Sequence, residues 1–219
     1  VLPAKLKTLP KNTFYGCSNL KTVILPETLT TINASAFYRT YALEQLTLPA
    51  GLTTFSGSSI FSGSAIRSLS IPAGVKALGS SMFFGCSNWE TVYAAGGLTA
   101  LPSSVFATTK LQQFYLPETV TSIASRAFWN CYELTDLYIA CDYPSAGVPT
   151  DALSDLATLT VHISSKYAAN WEAFQKNYYC VNFDIVDENE MPTISAPAAP
   201  ESYSVQAVTA HATVSGLPE

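Results

Sequence analysis

Charged residues are scarce in this chain. Only 12% of its 219 residues are Asp, Glu, Lys or Arg, and 11 basic against 16 acidic residues give a net charge of −5. This balance provides no basic excess to neutralise phosphates, so nucleic acid is excluded as the expected partner. Apolar residues make up 48% of the chain, which is enough for one sizeable hydrophobic core.

Membrane-spanning and export signals are also missing. No apolar run approaches the length of a membrane-spanning helix, and no signal peptide stands at the first residues. We therefore predict that this chain does not insert into a membrane. Residues Val1 to Pro3 already lie within a repeated phrase, so we expect the chain to be a mature or trimmed piece.

Signatures of catalysis and metal binding are absent from the sequence as well. Histidine occurs only at His162 and His211, and no Gly-x-Ser-x-Gly, phosphate-binding glycine loop or His-Glu-x-x-His motif is present. A zinc site lacks a Cys-x-x-Cys pair, and the acidic residues from Asp184 to Glu190 lack the glycine and spacing of a calcium loop. We expect a non-catalytic protein without metal or cofactor, in which that acidic end is solvated.

The five cysteines do not indicate a disulfide framework. Cys17, Cys86 and Cys131 share one position of the repeat, and coils stacked about 4.8 Å apart would keep even the nearest two about 10 Å from each other. Bridged Cα atoms lie within about 7 Å, so these three are predicted to be small buried side chains. Cys141 and Cys180 both lie beyond the repeats, where the sequence leaves their pairing open and the unpaired state is preferred.

A phrase of about two dozen residues recurs along most of the chain. Leu-Pro-Glu-Thr-Leu-Thr-Thr-Ile-Asn-Ala-Ser-Ala-Phe at 25–37 returns as Leu-Pro-Glu-Thr-Val-Thr-Ser-Ile-Ala-Ser-Arg-Ala-Phe at 116–128. Repetition at this period is typical of a solenoid, in which each unit buries its apolar face only against its neighbours. The copies start 23 residues apart, with one step of 22, at Leu2, Leu25, Leu48, Ile71, Ala94, Leu116 and Ile139.

Each copy carries its core residues in the same order. An apolar pair three residues apart is followed by an aromatic residue and then by an apolar trio that leads into the next start. The trio alternates with polar residues, which predicts one half-buried strand per coil, and the following proline ends it. Turn-forming residues fill the remainder, so helices are expected only as single turns around Ser-Ala-Phe. The aromatic position holds Phe14, Phe37, Phe83, Phe106 and Phe128, and a slip to Phe61 in the third copy predicts an irregularity between Gly57 and Gly63.

The phrase resembles the BspA-type leucine-rich repeat, a family of bacterial surface proteins. The units of that family carry Leu-Pro, an apolar residue, Ile, Ala-Phe, Cys and Leu at fixed spacing, and residues 2–25, 71–92 and 116–137 match it best. The resemblance implies a β-rich α/β solenoid, a right-handed leucine-rich-repeat coil with one parallel sheet and short helical turns. The cysteine position holds Cys17, Cys86 and Cys131 in the best copies and Thr40, Gly63 and Thr109 in the others.

The resemblance extends to a closing element after the last repeat. Residues 159–174 look like a strand and a short helix that carries Tyr167, Trp171 and Phe174, and a last strand is expected near Val181 to Val186. A solenoid needs such a cap because its last coil would otherwise expose its apolar face. We predict a solenoid over residues 1–187 with its cap at about 140–187, and a Pro/Ala-rich linker with a β-prone tail over 188–219.

The resemblance also implies a recognition or adhesion module that is extracellular or on the cell surface. Three roles stay open: binding a host or bacterial protein, holding another domain away from the cell as a spacer, and binding a glycan. Tyrosine favours interfaces, but neighbouring tyrosines also stabilise a sheet as cross-strand pairs. On the outward face of the predicted strands, the candidate ligand-binding residues are Tyr93, Tyr115 and Tyr138, flanked by Gln113, Asp136 and His162.

Overall fold

The repeats form a stack of short parallel strands. A computed structural model describes residues 2–89, 91–94, 97–156, 158–177 and 182–192. Every strand pairing in these ranges is parallel. The strands are β1 (Thr8–Leu9), β2 (Thr31–Asn33), β3 (Thr54–Ser56), β4 (Ser68–Ile71), β5 (Thr91–Ala94), β6 (Ala100–Leu101), β7 (Gln113–Leu116), β8 (Ser122–Ile123), β9 (Asp136–Ile139), β10 (Thr160–Ser164) and β11 (Asn182–Val186).

The strands belong to two ladders that occupy different positions of the repeat. We call β1-β2-β3 and β6-β8 together the first ladder, and β4-β5 and β7-β9-β10-β11 together the second ladder; in the described residues each ladder consists of two separate hydrogen-bonded sheets. Strands β4, β5, β7 and β9 are the strands predicted before the starts at Ile71, Ala94, Leu116 and Ile139. The strands predicted before Leu25 and Leu48 are not formed, because the described segments 20–25 and 43–48 contain no strand. The prediction of one strand per coil is wrong. In several coils the second residue of the apolar pair that follows the Leu-Pro start lies in an additional short strand, and these additional strands form the first ladder.

Threonine hydroxyl groups reinforce the first ladder. The hydroxyl of Thr30 donates to the carbonyl oxygen of Lys7 at 3.2 Å, and the hydroxyl of Thr53 donates to the carbonyl oxygen of Thr30 at 3.4 Å. The same contact recurs from Thr99 to Lys76 at 3.3 Å. These strands have only two or three residues, so bonds between repeats, rather than the strand propensity of a long segment, hold them in place.

A column of phenylalanine rings runs through the core. Adjacent rings are stacked with centroids 5.3–5.6 Å apart. This confirms the prediction that each ring packs against its neighbour one unit away. The phenylalanine column consists of Phe14, Phe37, Phe61, Phe83, Phe106 and Phe128.

The segments around these rings are turns and not the predicted helical turns. In each repeat a residue with positive φ stands two positions before the phenylalanine and another two positions after it. The three N–H groups of the segment then point along the stack: those of Ser81, Phe83 and Gly85 donate to the next repeat at 2.9, 3.0 and 3.0 Å. These bonds offset the strain of left-handed backbone at residues such as Ser81 (φ 52°) and Arg39 (φ 56°).

The third repeat has the predicted irregularity. Its ring is supplied by Phe61, which follows Phe37 by 24 residues and precedes Phe83 by 22, so one extra residue must be absorbed. The chain does this at Gly57, whose φ is +96°. A Cβ on Gly57 would approach the Cβ of Ala34 to 2.8 Å, and a Cβ on Gly79 in the next repeat would clash with the Gly57 carbonyl oxygen.

The cysteine position of the repeat is a buried hydrogen-bond donor. The Sγ of Cys86 donates to the carbonyl oxygen of Phe61 at 3.0 Å, and the hydroxyl of Thr40 donates to that of Phe37 at 2.9 Å. Threonine can therefore replace cysteine because both supply a small donor there. In the third repeat Ser64 occupies this position, 3.5 Å from the Sγ of Cys86. The sequence pattern placed Gly63 at the cysteine position of the third repeat. This is wrong by one residue, because the third repeat is shifted by one residue from Phe61 onward.

The four cysteines at 17, 86, 131 and 141 are free, and all but Cys17 are buried. The prediction that the cysteines of the repeat position are small buried side chains therefore holds for Cys86 and Cys131 and is wrong for Cys17. Cys180 and the 193–219 segment lie outside the described residues, so the unpaired state preferred for Cys180 and the Pro/Ala-rich linker and β-prone tail stay predictions.

The chain after the last repeat covers the end of the core. Beyond β10, a 3-10 turn at Ala168–Trp171 leads directly into helix α1 (Glu172–Asn177), and β11 follows. Trp171 and Phe174 are buried, and the indole N–H of Trp171 donates to the carbonyl oxygen of Cys141 at 3.0 Å. Helix and last strand therefore shield apolar side chains at this end of the stack.

Candidate functional site

The outward face of the second ladder changes character along the stack. At the equivalent position of the first three repeats the side chains are small or aliphatic and exposed: Ser70 lies on β4, and Ile24 and Thr47 precede the ladder. From β7 onward the row continues as Tyr115, Tyr138, His162 and Asp184. Their strands alternate, so Phe114, Leu116, Leu137, Ile139, Val161 and Ile163 point into the core.

Two of the three predicted tyrosines are in register. Tyr115 on β7 pairs with Tyr138 on β9, and Gln113 pairs with Asp136 beside them. Both tyrosines are half-buried, so part of each side chain is accessible to solvent. Tyr93 lies on β5 and pairs with Ser70, but its side chain lies outside what the structure describes.

His162 joins three strands. Its ring stacks on that of Tyr138, with centroids 4.5 Å apart and an angle of 13° between the planes. Its Nε2 lies 2.8 Å from an oxygen of Asp136 on β9, and its Nδ1 lies 3.2 Å from an oxygen of Asp184 on β11. We call Tyr138, His162, Asp136 and Asp184 the histidine clamp.

Further hydrogen bonds hold Asp136. The hydroxyl of Thr135 donates to its second oxygen at 2.8 Å, and the amide of Gln113 donates to the same oxygen at 3.4 Å. Burial alone would raise the pKa of Asp136, but the hydrogen bonds from His162 and Thr135 outweigh it and lower that pKa below its usual value. The carboxylate is therefore held in its charged form with both oxygens occupied.

The tyrosine hydroxyls lie among acidic groups. Burial raises the pKa of Tyr138, and the charge of Asp136 adds to this effect. Burial also raises the pKa of Tyr115, with further contributions from Glu118, Cys141 and Tyr167. Both hydroxyls therefore stay protonated at neutral pH and can donate hydrogen bonds to a ligand.

The sequence interpretation missed two members of this surface. Asp184 was assigned to a solvated acidic end, whereas it contacts His162. The signal was present: Asp184 follows His162 by 22 residues, one repeat period, as Tyr138 follows Tyr115 by 23. Lys166 was also missed, and its ammonium nitrogen lies 4.9 Å from the ring centroid of Tyr167.

The clamp does not have the arrangement of a catalytic or metal centre. Both ring nitrogens of His162 face carboxylates, so neither is left to activate a third group or to share one ion with both acids. Across the described ranges, no group of three or more His, Cys, Asp or Glu side chains could hold a metal ion. The side chains are instead arranged to fix the outer surface of the sheet.

Family membership follows from the repeats. A model of the BspA-type leucine-rich repeat region matches residues 7–135 as six copies, which is more than half of the chain. The chain belongs to the BspA-type leucine-rich repeat family. The repeats of this family are generally non-catalytic binding modules of bacterial surface proteins. No curated protein matches the sequence.

Solved structures agree with this fold. A leucine-rich repeat protein from Bacteroides ovatus ATCC 8483 is 19% identical with a TM-score of 0.64, and the alignment covers 84% of this chain and 50% of that one. A leucine rich cell surface protein from Faecalibacterium prausnitzii A2-165 is 23% identical with a TM-score of 0.62, over 74% and 53% of the two chains. The BspA-type chain thus spans about half the length of these proteins. In the part of the chain that the structure describes, no helix is long and apolar enough to cross a membrane.

Proposed function

We propose that this chain is a non-catalytic recognition module of a bacterial cell-surface or secreted protein, and that it binds a protein partner on the second ladder. The observation that carries the proposal is the in-register pair of Tyr115 and Tyr138, continued by the stacked ring of His162. Aromatic side chains of this kind offer a large amphipathic contact area at little entropic cost.

The rigidity of the surface supports recognition. The histidine clamp ties β9, β10 and β11 together, so Tyr138 is already ordered before a partner arrives. Preordered side chains lose little conformational entropy on binding, and this raises the affinity that a given contact area can supply. A spacer would need no such surface. The first ladder, whose threonine hydroxyls are bonded to the preceding repeat, has the plain face that a spacer requires.

A glycan is the second candidate ligand, because amide and acid groups stand beside the aromatic rings. Gln113 and Asp136 are neighbours on the outward row next to the tyrosines. The oxygens of Asp136 are already bonded to His162, Thr135 and Gln113, however, and one face of the Tyr138 ring is covered by His162. Few groups are left to hold sugar hydroxyls, which favours a protein partner.

The test is a binding screen of this chain against extracellular-matrix proteins and a glycan array, followed by titrations of Tyr115→Ala. We expect binding to a protein that Tyr115→Ala weakens at least tenfold while the melting temperature changes little. Tyr132→Ala is the matched control, because Tyr132 is 68% exposed and lies off the sheet. Binding to a protein that persists unchanged in Tyr115→Ala would place the site elsewhere, and flat responses to both panels would favour the spacer.

A further inference from the structure

A shallow groove lies at the C-terminal ends of the first three strands. It is open to solvent and has a volume of about 600 Å³, within the range of about 300–1,000 Å³ that is usual for small-molecule sites. The groove belongs to the first three repeats, whereas the described strands of the second ladder begin at β4, so it is separate from the tyrosine surface. Its lining residues are Thr8, Pro10, Lys11, Asn33, Ala34, Ser56 and Gly57.

Small side chains keep this groove open. Ala34 and Gly57 have the smallest side chains of the lining, and Gly57 takes up the extra residue of the third repeat with a φ of +96°. A Cβ at Gly57 would lie 2.8 Å from the Cβ of Ala34, so a side chain at this position would have to displace its neighbour. The bulge after β3 therefore leaves the backbone of the groove accessible.

Backbone N–H groups in the groove lack acceptors. In the part of the chain that the structure describes, the N–H groups of Lys11, Ala34 and Gly57 donate to no oxygen. The N–H groups that directly follow the first two are paired, since those of Asn12 and Ser35 each donate to the next repeat at 3.1 Å. Neighbouring N–H groups that stay free on a concave surface favour the binding of an anion.

The side chains of the groove add one cation and no acid. The side chain of Lys11 is exposed, and no described carboxylate pairs with it, while neither Asp nor Glu is among the lining residues. The first three repeats, residues 2–70, contain six basic and two acidic residues, so their overall field also attracts a negative charge. An anion in the groove would accept charge-assisted hydrogen bonds from Lys11 and from the free N–H groups.

Neutral groups next to the cation suit sugar hydroxyls. The hydroxyl groups of Thr8 and Ser56 have no hydrogen-bond partner among the described residues. The Nδ2 of Asn33 donates to the carbonyl oxygen of Leu9 at 3.0 Å, which leaves its Oδ1 as an acceptor. No aromatic side chain lines the groove, so it offers no stacking surface for a nucleotide base.

From these groups we propose that the groove binds an acidic saccharide. Its carboxylate lies against Lys11 and the free N–H groups of Ala34 and Gly57. Its ring hydroxyls then contact the neutral polar side chains of the lining. This is a second ligand site, and it does not depend on whether the second ladder binds a protein. The groove is shallow and offers few contacts, so we expect a dissociation constant of roughly 1 mM.

Amide NMR of the whole ¹⁵N-labelled chain, titrated with the trimer of galacturonic acid, tests the proposal. We expect saturable shifts at the amides of Lys11, Ala34 and Gly57. The methyl ester of the trimer keeps the hydroxyls and loses the charge, so it should bind at least tenfold more weakly. Lys11→Gln should weaken binding of the acidic trimer at least tenfold. Lys21→Gln is the matched control, because it removes the same charge from an exposed position of the same repeat outside the groove and should leave the affinity unchanged.

Sodium sulfate distinguishes a saccharide site from a site for any anion. Sulfate that shifts the same three amides with an affinity equal to that of the trimer would overturn the saccharide assignment, and so would equal binding of the methyl ester. Amides that do not move at about 20 mM trimer would overturn the site itself, since that concentration is about twenty times the expected dissociation constant. The recognition role of the second ladder is decided separately by the Tyr115→Ala titrations against proteins.

Discussion

The phenylalanine column is the sharpest test of how this solenoid is held together. Phe83 lies at its middle, is fully buried, and stacks on Phe61 and Phe106 at 5.6 Å on either side. Trp89 packs against the same ring at 4.2 Å. Phe83→Ala removes a group that touches three other rings, so the free energy of unfolding should fall by a large amount.

The magnitude follows from two contributions. The variant no longer buries about 100 Å² of phenyl surface on folding, which lowers the free energy of unfolding by about 2.5 kcal/mol at about 25 cal/mol per Å². An unrelaxed cavity of about 100 Å³ costs about 2.4 kcal/mol more at about 24 cal/mol per Å³. Partial collapse of neighbouring side chains reduces the second figure, so we expect a loss of about 4 kcal/mol, within the usual range of about 3–5 kcal/mol for this substitution.

The next residue supplies the control. Phe84 is 38% exposed and its ring lies at the surface, so Phe84→Ala opens no closed cavity. Its loss should be about 1–1.5 kcal/mol, the transfer contribution scaled to its burial. Urea unfolding followed by far-UV circular dichroism measures both variants, and the melting temperatures should differ by roughly 5–10 °C at 2–4 °C per kcal/mol.

Two outcomes would be informative. If Phe83→Ala and Phe84→Ala lose the same stability within about 1 kcal/mol, the column does not carry the core and the reasoning is wrong. A broadened transition with a lower m-value for Phe83→Ala alone would mean that the repeats on each side unfold separately. That result is consistent with a stack stabilised through nearest-neighbour contacts.

Three further predictions concern backbone and titratable groups. Gly79→Ala should destabilise strongly, because its Cβ would clash with a backbone carbonyl oxygen, whereas Gly51→Ala meets no atom closer than 3.6 Å and should be neutral; thermal melts compare the two. Asp136→Asn should lose stability at pH 7, and its difference from the natural chain should vanish as pH falls below about 3.8, because a lowered carboxyl pKa stabilises the fold only above that range. Burial raises the pKa of Cys86 from 9.0 to about 11, so the natural chain should lose about 3 kcal/mol relative to Cys86→Ser as pH rises from about 8 to about 12. Denaturant titrations at several pH values measure both effects, and parallel pH profiles of variant and natural chain would contradict them.

Much of the core was predictable because the repeat fixes it. The position of every ring in the phenylalanine column follows from one spacing, and the slip at Phe61 indicated where the chain must bulge. The register of Tyr115 on Tyr138 follows from the same period. These features depend on apolar periodicity, which is the strongest structural signal in a single sequence.

Other features could not be read from the pattern. The first ladder consists of two- or three-residue strands, too short for alternation to distinguish them from a turn. Positive φ at Ser81 or Arg39 is unfavourable for those residues by themselves, and it occurs because each N–H finds a carbonyl oxygen in the next repeat. Such conformations follow from stacking, not from local propensity.

The histidine clamp extends the proposed recognition surface into the cap. His162 lies on β10 and Asp184 on β11, both beyond the six matched repeats, yet they continue the outward row of Tyr115 and Tyr138 at the same period. The cap therefore buries Trp171 and Phe174 on its inner side and adds acidic and aromatic groups on its outer side. Because one element does both, a substitution on its outer side such as Asp184→Asn tests recognition, and one on its inner side such as Phe174→Ala tests folding. If the first weakens binding without lowering the melting temperature while the second lowers it, the two roles of the cap are separable.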